Sequence, residues 1–286
     1  MKNLSTLIVC ILCFATTAFA DDGDRRARQN QFELEPIYSR NARNAQRITV
    51  NLTYDNFRNV RLEEAEEFDG YTTTAEIIVP FGKNKRWEAR LEIPFYTDGD
   101  AKLVSTGEKI DIDGNGGVFD FGTLVIQREL TTTEKSSINS SVYGGYGNRT
   151  ARLETTIDDI YNHTGRVFRL GFNIDNARPD RDIRLQASMD GRFYYDSDDL
   201  NPSDDGDDFY MMNLSGAAVY NAEGFIKTAF EILYSTDFND RHIIQAVPEL
   251  IIPLWNTLEI KGGYAFGHSS GEGSTQTATV RTTFRF

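Results

Sequence analysis

From residue 47 to the last residue, apolar and polar side chains alternate one by one over most of the chain. A period of two places successive side chains on opposite faces of an extended strand. At the C-terminal end Phe286, Phe284, Thr282, Val280 and Ala278 share one face, and Arg285, Thr283, Arg281 and Thr279 share the other. The cleanest run sets Ile183, Leu185, Ala187, Met189, Gly191, Phe193 and Tyr195 against Arg184, Gln186, Ser188, Asp190, Arg192 and Tyr194. Trp87, Ala89, Leu91, Ile93 and Phe95 alternate with Arg86, Glu88, Arg90 and Glu92. Weaker copies fall at 47–55, 71–79, 138–146, 168–174, 210–218, 226–234 and 258–266, with Lys227, Glu231, Glu259 and Lys261 on the polar faces. Two runs are irregular. Residues 118–127 contain Leu124-Val125-Ile126, apolar on both faces, and residues 243–252 contain Pro248, where a local break in pairing is expected.

The alternation predicts twelve strands, with connections of alternating length. Brief ones centre on Gly82-Lys83-Asn84, Thr132-Thr133-Glu134, Arg178-Pro179-Asp180, Ala222-Glu223 and Leu254-Trp255. The intervening connections are mostly longer, among them residues 63–69 and 196–208. Short turns at one end and long loops at the other are the rule for transmembrane barrels. The expected fold is therefore all-β: an antiparallel, up-and-down β-barrel of twelve strands spanning a membrane over residues 46–286. The apolar face must be the lipid face, because Arg or Lys there costs ~2–4 kcal/mol near the bilayer midplane. A one-residue slip of the run at 183–195 would expose Arg184, Asp190 and Arg192 together. The lumen is then expected to be lined by Arg86, Glu88, Arg90, Glu92, Arg184, Asp190, Arg192, Lys227, Glu231, Glu259, Lys261, Arg281 and Arg285. Such a mixture sets weak selectivity or pairs internally and narrows the passage.

Residues 1–20 read as an export signal. Lys2 precedes an apolar run over 4–14, and Ala18-Phe19-Ala20 has the small-x-small form of a cleavage site, with cleavage expected after Ala20. That run is too short to cross a bilayer as a helix. Cys10 and Cys13 both lie inside it, so nothing downstream can form a disulfide. Residues 21–45 are polar and are expected to form a periplasmic tail or a segment occupying the lumen.

Removing Lys2 with the leader moves the formal charge from −13 to −14, which argues against a nucleic-acid partner. Seven aspartates between 196 and 208 share a stretch with no base, and Glu63, Glu64, Glu66, Glu67 and Asp69 crowd another. Both fit an acidic outer surface facing the medium, or one bridging divalent cations beside lipopolysaccharide.

Other motifs are weaker. Asp111, Asp113 and Asn115, with Gly116, resemble the first half of a calcium loop, but Gly122 stands where the closing glutamate belongs. Gly267-His268-Ser269-Ser270-Gly271 matches G-x-S-x-G but lies between two strands rather than on a strand-to-helix elbow. Asp237, Asp240 and His242 are a further acid/base grouping at the outer end. No cofactor is expected.

The C-terminal run ending in Phe286 resembles the last strand of bacterial outer-membrane barrels, in which the terminal aromatic is part of the assembly signal. Ile93-Pro94, then Gly116-Gly117-Val118-Phe119-Asp120, resemble the outer-membrane proteins grouped under the meta-pathway of phenol degradation. Val118 and Phe119 separate the glycines from Asp120 where that family has them adjacent. The resemblance implies a barrel passing small, often hydrophobic, molecules. It also implies outer-membrane lipid, lipopolysaccharide and the barrel-assembly machinery as partners. The expected function is passive or weakly selective passage of small solutes across the outer membrane. The alternatives are a hydrolase at the outer rim and a structural or adhesive barrel acting through acidic loops.

Overall fold

The computed structural model describes residues 35–62, 65–103, 109–112, 122–131, 138–155, 160–176, 183–195, 209–220, 226–238, 242–270 and 273–286. Thirteen strands run through these residues: β1 (Thr49–Leu62), β2 (Ala65–Phe81), β3 (Trp87–Leu103), β4 (Lys109–Ile112), β5 (Gly122–Thr131), β6 (Asn139–Thr155) and β7 (Ile160–Asp175). They continue as β8 (Ile183–Tyr195), β9 (Phe209–Tyr220), β10 (Lys227–Thr236), β11 (His242–Trp255), β12 (Leu258–Ser269) and β13 (Gly273–Arg285). Every pairing is antiparallel, mostly between chain neighbours, and β13 returns to β1 from Thr49↔Arg285 to Arg58↔Gln276. The Phe286 N–H donates to the Ile48 carbonyl at 2.9 Å and completes the seam. Closure satisfies both edges of the sheet, which a bilayer requires because it offers backbone groups no water.

Twelve strands make the ring, and β4 is an addition to it. β3 and β6 have 17 residues each and β5 only 10, so both overshoot β5 at the outer end. β4 fills the gap, pairing with Gly99–Lys102 of β3 on one side and with Thr155 and Glu154 of β6 on the other. The region was expected to be loop, and the fourth ring strand was expected at 118–127. The strand is instead Gly122–Thr131, and Val118 lies outside the described residues.

The long outer connections are also different from expectation. β1 and β2 stay paired up to Leu62↔Ala65, so Glu66, Glu67 and Asp69 belong to a strand rather than a loop. A strand needs only ~9–11 residues to span a bilayer; these hairpins put their extra length into a sheet standing above it. Gly70 and Gly99 face each other in that overhang. A Cβ on Gly70 would lie 2.3 Å from the Asp98 carbonyl oxygen, and Gly99 has φ +149°, so both positions require glycine.

The face assignment follows the alternation. Leu170 is 49% exposed outward while Arg169 beside it is 5% exposed inward. In the ambiguous run, Leu124 points out and Val125 is fully buried inside. Val125 fits there because its cross-strand partner is Gly145, where a Cβ would come within 2.9 Å of Val125 Cγ2. β3 carries a bulge: Thr73 pairs with Tyr96 but Thr74 with Pro94, leaving Phe95 extra. The inward set therefore shifts from Glu88, Arg90 and Glu92 to Thr97. At Pro248 the register with β12 does not slip; only the pairs at Val247 and Pro248 drop out, and the shift occurs later, at Pro253 to Trp255.

Aromatic side chains mark two levels on the outer wall. Tyr54, Tyr71 and Tyr96 pack in a row with centroids 5.5 and 5.8 Å apart. At the other end Phe81 stacks on Trp87 at 6.3 Å, with the Arg128 guanidinium over Trp87. Tyr71 and Phe81 bracket ten residue steps of β2. That is ~33 Å along a strand, or ~25 Å of height at the ~40° tilt usual in such barrels, which matches their apolar band.

Candidate functional site

The lumen is polar, and the chain fills part of it with its own N-terminal segment. Residues 35–47 have no helix or strand, yet Glu35, Ile37, Ser39, Asn41, Ala42 and Asn44 are buried. Without secondary structure the segment's backbone N–H groups need other acceptors, and the wall supplies carboxylates. Ile37 N–H donates to Glu249 on β11 (3.1 and 3.2 Å), and those of Tyr38 and Ser39 to Glu231 on β10 (2.9 and 2.7 Å). The Arg40 N–H reaches Ser188 Oγ on β8 at 3.2 Å, and the Ala42 N–H reaches Asp175 on β7 at 2.9 Å. Asn44 N–H donates to Glu129 on β5 at 2.6 Å and Ala45 N–H to Glu88 on β3 at 2.5 Å. The segment thus winds around the inner wall, strand by strand, from β11 back to β3. Arg47 ties its end to the rim through the Asn256 carbonyl in the β11–β12 turn, at 3.0 Å.

Side chains add to this. Arg90 holds Glu35 with two nitrogens (3.0 and 3.1 Å) and also pairs with Glu76 and Glu88. Lys261 donates to the Glu35 carbonyl and pairs with Glu259 at 3.0 Å; Arg285 reaches Glu259 at 3.3 Å. Arg184 donates to Asn41 Oδ1 at 2.7 Å, and Arg281 to the Ile37 carbonyl at 2.6 Å. Burial works to raise the Glu35 carboxyl, but Arg90, the Asn41 N–H and Lys261 outweigh it and hold the pKa at about 2.

Above residues 35–40 the outer half of the lumen holds a cavity of about 420 Å³. Arg169 bridges Glu92 (2.9 Å) and Asp190 (3.0 Å) on one wall, Arg192 reaches Asp190 at 2.8 Å, and Arg40 pairs with Glu92 while its guanidinium lies 5.1 Å from the Tyr143 ring centre. Phe57, Met211, Leu233 and Ile243 face it from β1, β9, β10 and β11. Arg40, Arg90, Arg169, Arg192 and Arg281 line it against Glu35, Asp55, Glu76, Glu92 and Asp190. Five bases meet five acids, so no single sign dominates.

Of the expected lumen residues, Glu88, Arg90, Arg184, Asp190, Glu231, Glu259, Lys261 and Arg285 are buried inside, and Glu92, Arg192 and Arg281 line the cavity. Lys227 is half-buried at the inner end of β10. Arg86 differs: it is exposed in the turn before β3, one residue short of the strand that would have turned it inward. The alternation missed Glu129, Arg169, Asp175 and Glu249. Arg169 and Asp175 are inward neighbours of Leu170 and Ile174, so reading the second face of that run would have found them, whereas Glu129 lies past the expected end of its strand and Glu249 in the run where no face was assigned. Nothing in the sequence marked Glu35 or Arg40.

The weaker motifs separate. Asp111 sits in β4, while Asp113 and Asn115 lie outside the described residues. Among the described residues, no group of three His, Cys, Asp or Glu side chains is placed to hold a metal ion. β12 runs on through Ser269, so the G-x-S-x-G stretch begins in strand. Ser269 Oγ is buried and without a hydrogen-bond partner, whereas His268 is exposed. The His242 ring bonds Tyr234 Oη at 2.9 Å; Asp240 lies outside the described residues, as do residues 196–208.

No protein-family model matches the chain, and no curated protein does. Solved structures do. An outer-membrane channel from Pseudomonas putida F1 is similar at 11% identity and TM-score 0.56, covering 94% of this chain and 100% of that one. The transport unit of the autotransporter AIDA-I from Escherichia coli is similar at 11% identity and TM-score 0.53, over 92% of this chain and 98% of that one. The translocator domain of the autotransporter NalP from Neisseria meningitidis gives 12% identity and TM-score 0.51, over 91% and 93%. The fold is that of the outer-membrane β-barrels.

Proposed function

We propose that this protein is an outer-membrane channel giving small solutes passive, weakly selective passage. The observation that carries the reading is the cavity of about 420 Å³ inside a closed, lipid-facing barrel, polar on one wall and lined by equal numbers of bases and acids. Its volume falls within the ~300–1,000 Å³ of small-molecule sites. Balanced charge disfavours strong anion or cation preference in that vestibule. The similarity of fold to an outer-membrane channel supports the reading, as do the leader-like residues 1–20 and a terminal Phe286 seated at the seam. The relationship to the phenol-degradation group rests on Ile93-Pro94, which flank the β3 bulge, and on residues 116–120, which lie outside the described residues. Outer-membrane lipid, lipopolysaccharide and the barrel-assembly machinery are the partners this location entails.

The test is solute entry into vesicles carrying the purified full chain. Small neutral solutes should enter faster than into protein-free vesicles, with a cut-off as solute size grows. Equal rates with and without protein, after verified insertion, would overturn the channel.

A further inference from the structure

The segment at 35–47 blocks the inner half of the very lumen through which solutes would pass. Its attachment is unlike the rest of the fold. It pairs with no strand, and its buried apolar residues are the few Pro36, Ile37 and Ala42. Polar bonds to wall side chains do the holding, and water can replace each of them when the segment leaves. Arg40 Nη1, Asn173 Oδ1 and Gln186 Nε2 are buried without hydrogen-bond partners around it, and a void of about 30 Å³ lies beside Glu35, Asn41 and Asn44. The contact surface is incompletely matched.

The charges are complementary. The segment carries Arg40, Arg43 and Arg47 against Glu35, a net of +2. The wall facing it presents Glu88, Glu129, Asp175, Glu231 and Glu249 to its N–H groups, and Arg90, Arg184, Lys261 and Arg281 to its oxygens. These carboxylates read main-chain N–H groups, while the Arg90–Glu35 and Arg184–Asn41 contacts fix the register in which the chain docks. Arg47 and the start of β1 fix the segment at the inner rim, which sets the exit direction as inward.

We propose that residues 35–47 are a releasable gate, and that their withdrawal opens an inner pore lined by the charged side chains they had covered. The proposal rests on the channel reading. The uncovered wall mixes both signs, with Arg90, Arg184, Lys261 and Arg281 among its acids, so release widens the path more than it changes charge preference. Because the gate carries net positive charge, its release also depends on voltage.

Two full-chain variants test this, in a chain whose native cysteines, Cys10 and Cys13, both precede the barrel. Ile37→Cys with Gly263→Cys puts thiols on facing positions of the gate and β12, Ile37 Cδ1 lying 2.6 Å from where a Gly263 Cβ would stand, and closure of the bridge is verified by mass before recording. In planar bilayers the oxidised form should show at least tenfold fewer openings, restored by reductant. Identical traces before and after reduction would overturn the proposal.

The second variant, Ala42→Cys, places a thiol at a fully buried position and reads release without any conductance. An impermeant thiol reagent should modify it slowly but completely in the folded barrel. Protection equal to the global unfolding limit would make the segment a fixed part of the wall and overturn the gate. If labelling proceeds while no current flows, the gate stands and the channel reading fails.

Discussion

Arg169 and Leu170 are adjacent in the chain and face opposite surroundings. Leu170 meets lipid, while Arg169 sits between Glu92 and Asp190 with both carboxylates within 3.0 Å. Placing a cation at the first position therefore has a definite consequence. Leu170→Arg should destabilise the barrel by ~2–4 kcal/mol, read as a lower denaturant midpoint for unfolding from lipid vesicles. Glu35 offers a residue-level test of docking. Its pKa is held at about 2, below the ordinary 4.5, by Arg90, the Asn41 N–H and Lys261 against the opposing effect of burial. A depressed pKa stabilises the docked state fully above 4.5 and loses that contribution as pH falls toward 2. Other acids face Glu35 and Arg90, namely Glu76 on β2, Glu88 on β3 and Glu259 through Lys261, and both proteins carry them. The informative quantity is thus a difference. Access of an acid-active pyridyl disulfide to the introduced thiol of the Ala42→Cys variant, normalised at each pH to the same thiol in the unfolded chain, should rise between pH 4.5 and 2 more steeply than in the same variant carrying Glu35→Gln, and parallel curves would exclude Glu35 as a docking contact.

At the scale of elements, what could be read from sequence divides by physical cause. The ring strands were legible because lipid on one side and a polar lumen on the other impose a strict period of two, visible without any partner. Strand ends were less so. The alternation at Tyr71 has no signal for the paired overhang from Ala65, since outside the bilayer neither face is obliged to be apolar. β4 was hidden for a related reason: it exists to fill the gap above β5, and a gap is a property of neighbouring strand lengths. The docked segment was least legible of all. Its contacts run from a polar, aperiodic stretch to carboxylates 43 to 212 residues away, and nothing local encodes such pairs. The last strand carries its own prediction. Phe286 closes the seam through its backbone N–H, which Phe286→Ala retains. That substitution should cut the yield of heat-modifiable barrel in the outer membrane several-fold, while the barrel that does assemble melts within a few degrees of the parent. Unchanged yield would remove Phe286 from any role in assembly.

The whole molecule joins two regimes in one lumen. The outer half is a vestibule in which five arginines and five carboxylates largely satisfy one another. The inner half is a cradle of mixed charge whose carboxylates hold the backbone of a basic segment of the same chain. Fold similarity to outer-membrane barrels explains the cylinder but not this division, which follows from residues 35–47 and the acids that receive them. Closure by β1 and β13 leaves the lumen as the path the proposed channel would use, and under the gate proposal the state of that segment decides passage.

Single-channel recording from the full-length protein in a planar bilayer tests this directly, with voltage stepped in both polarities. The predicted trace has a low resting conductance interrupted by discrete larger openings. Those openings should be more frequent when the inner side is negative and draws the +2 segment out of the lumen. A barrel shown to be inserted, yet silent at every voltage, would contradict the claim that its lumen is a route for solutes.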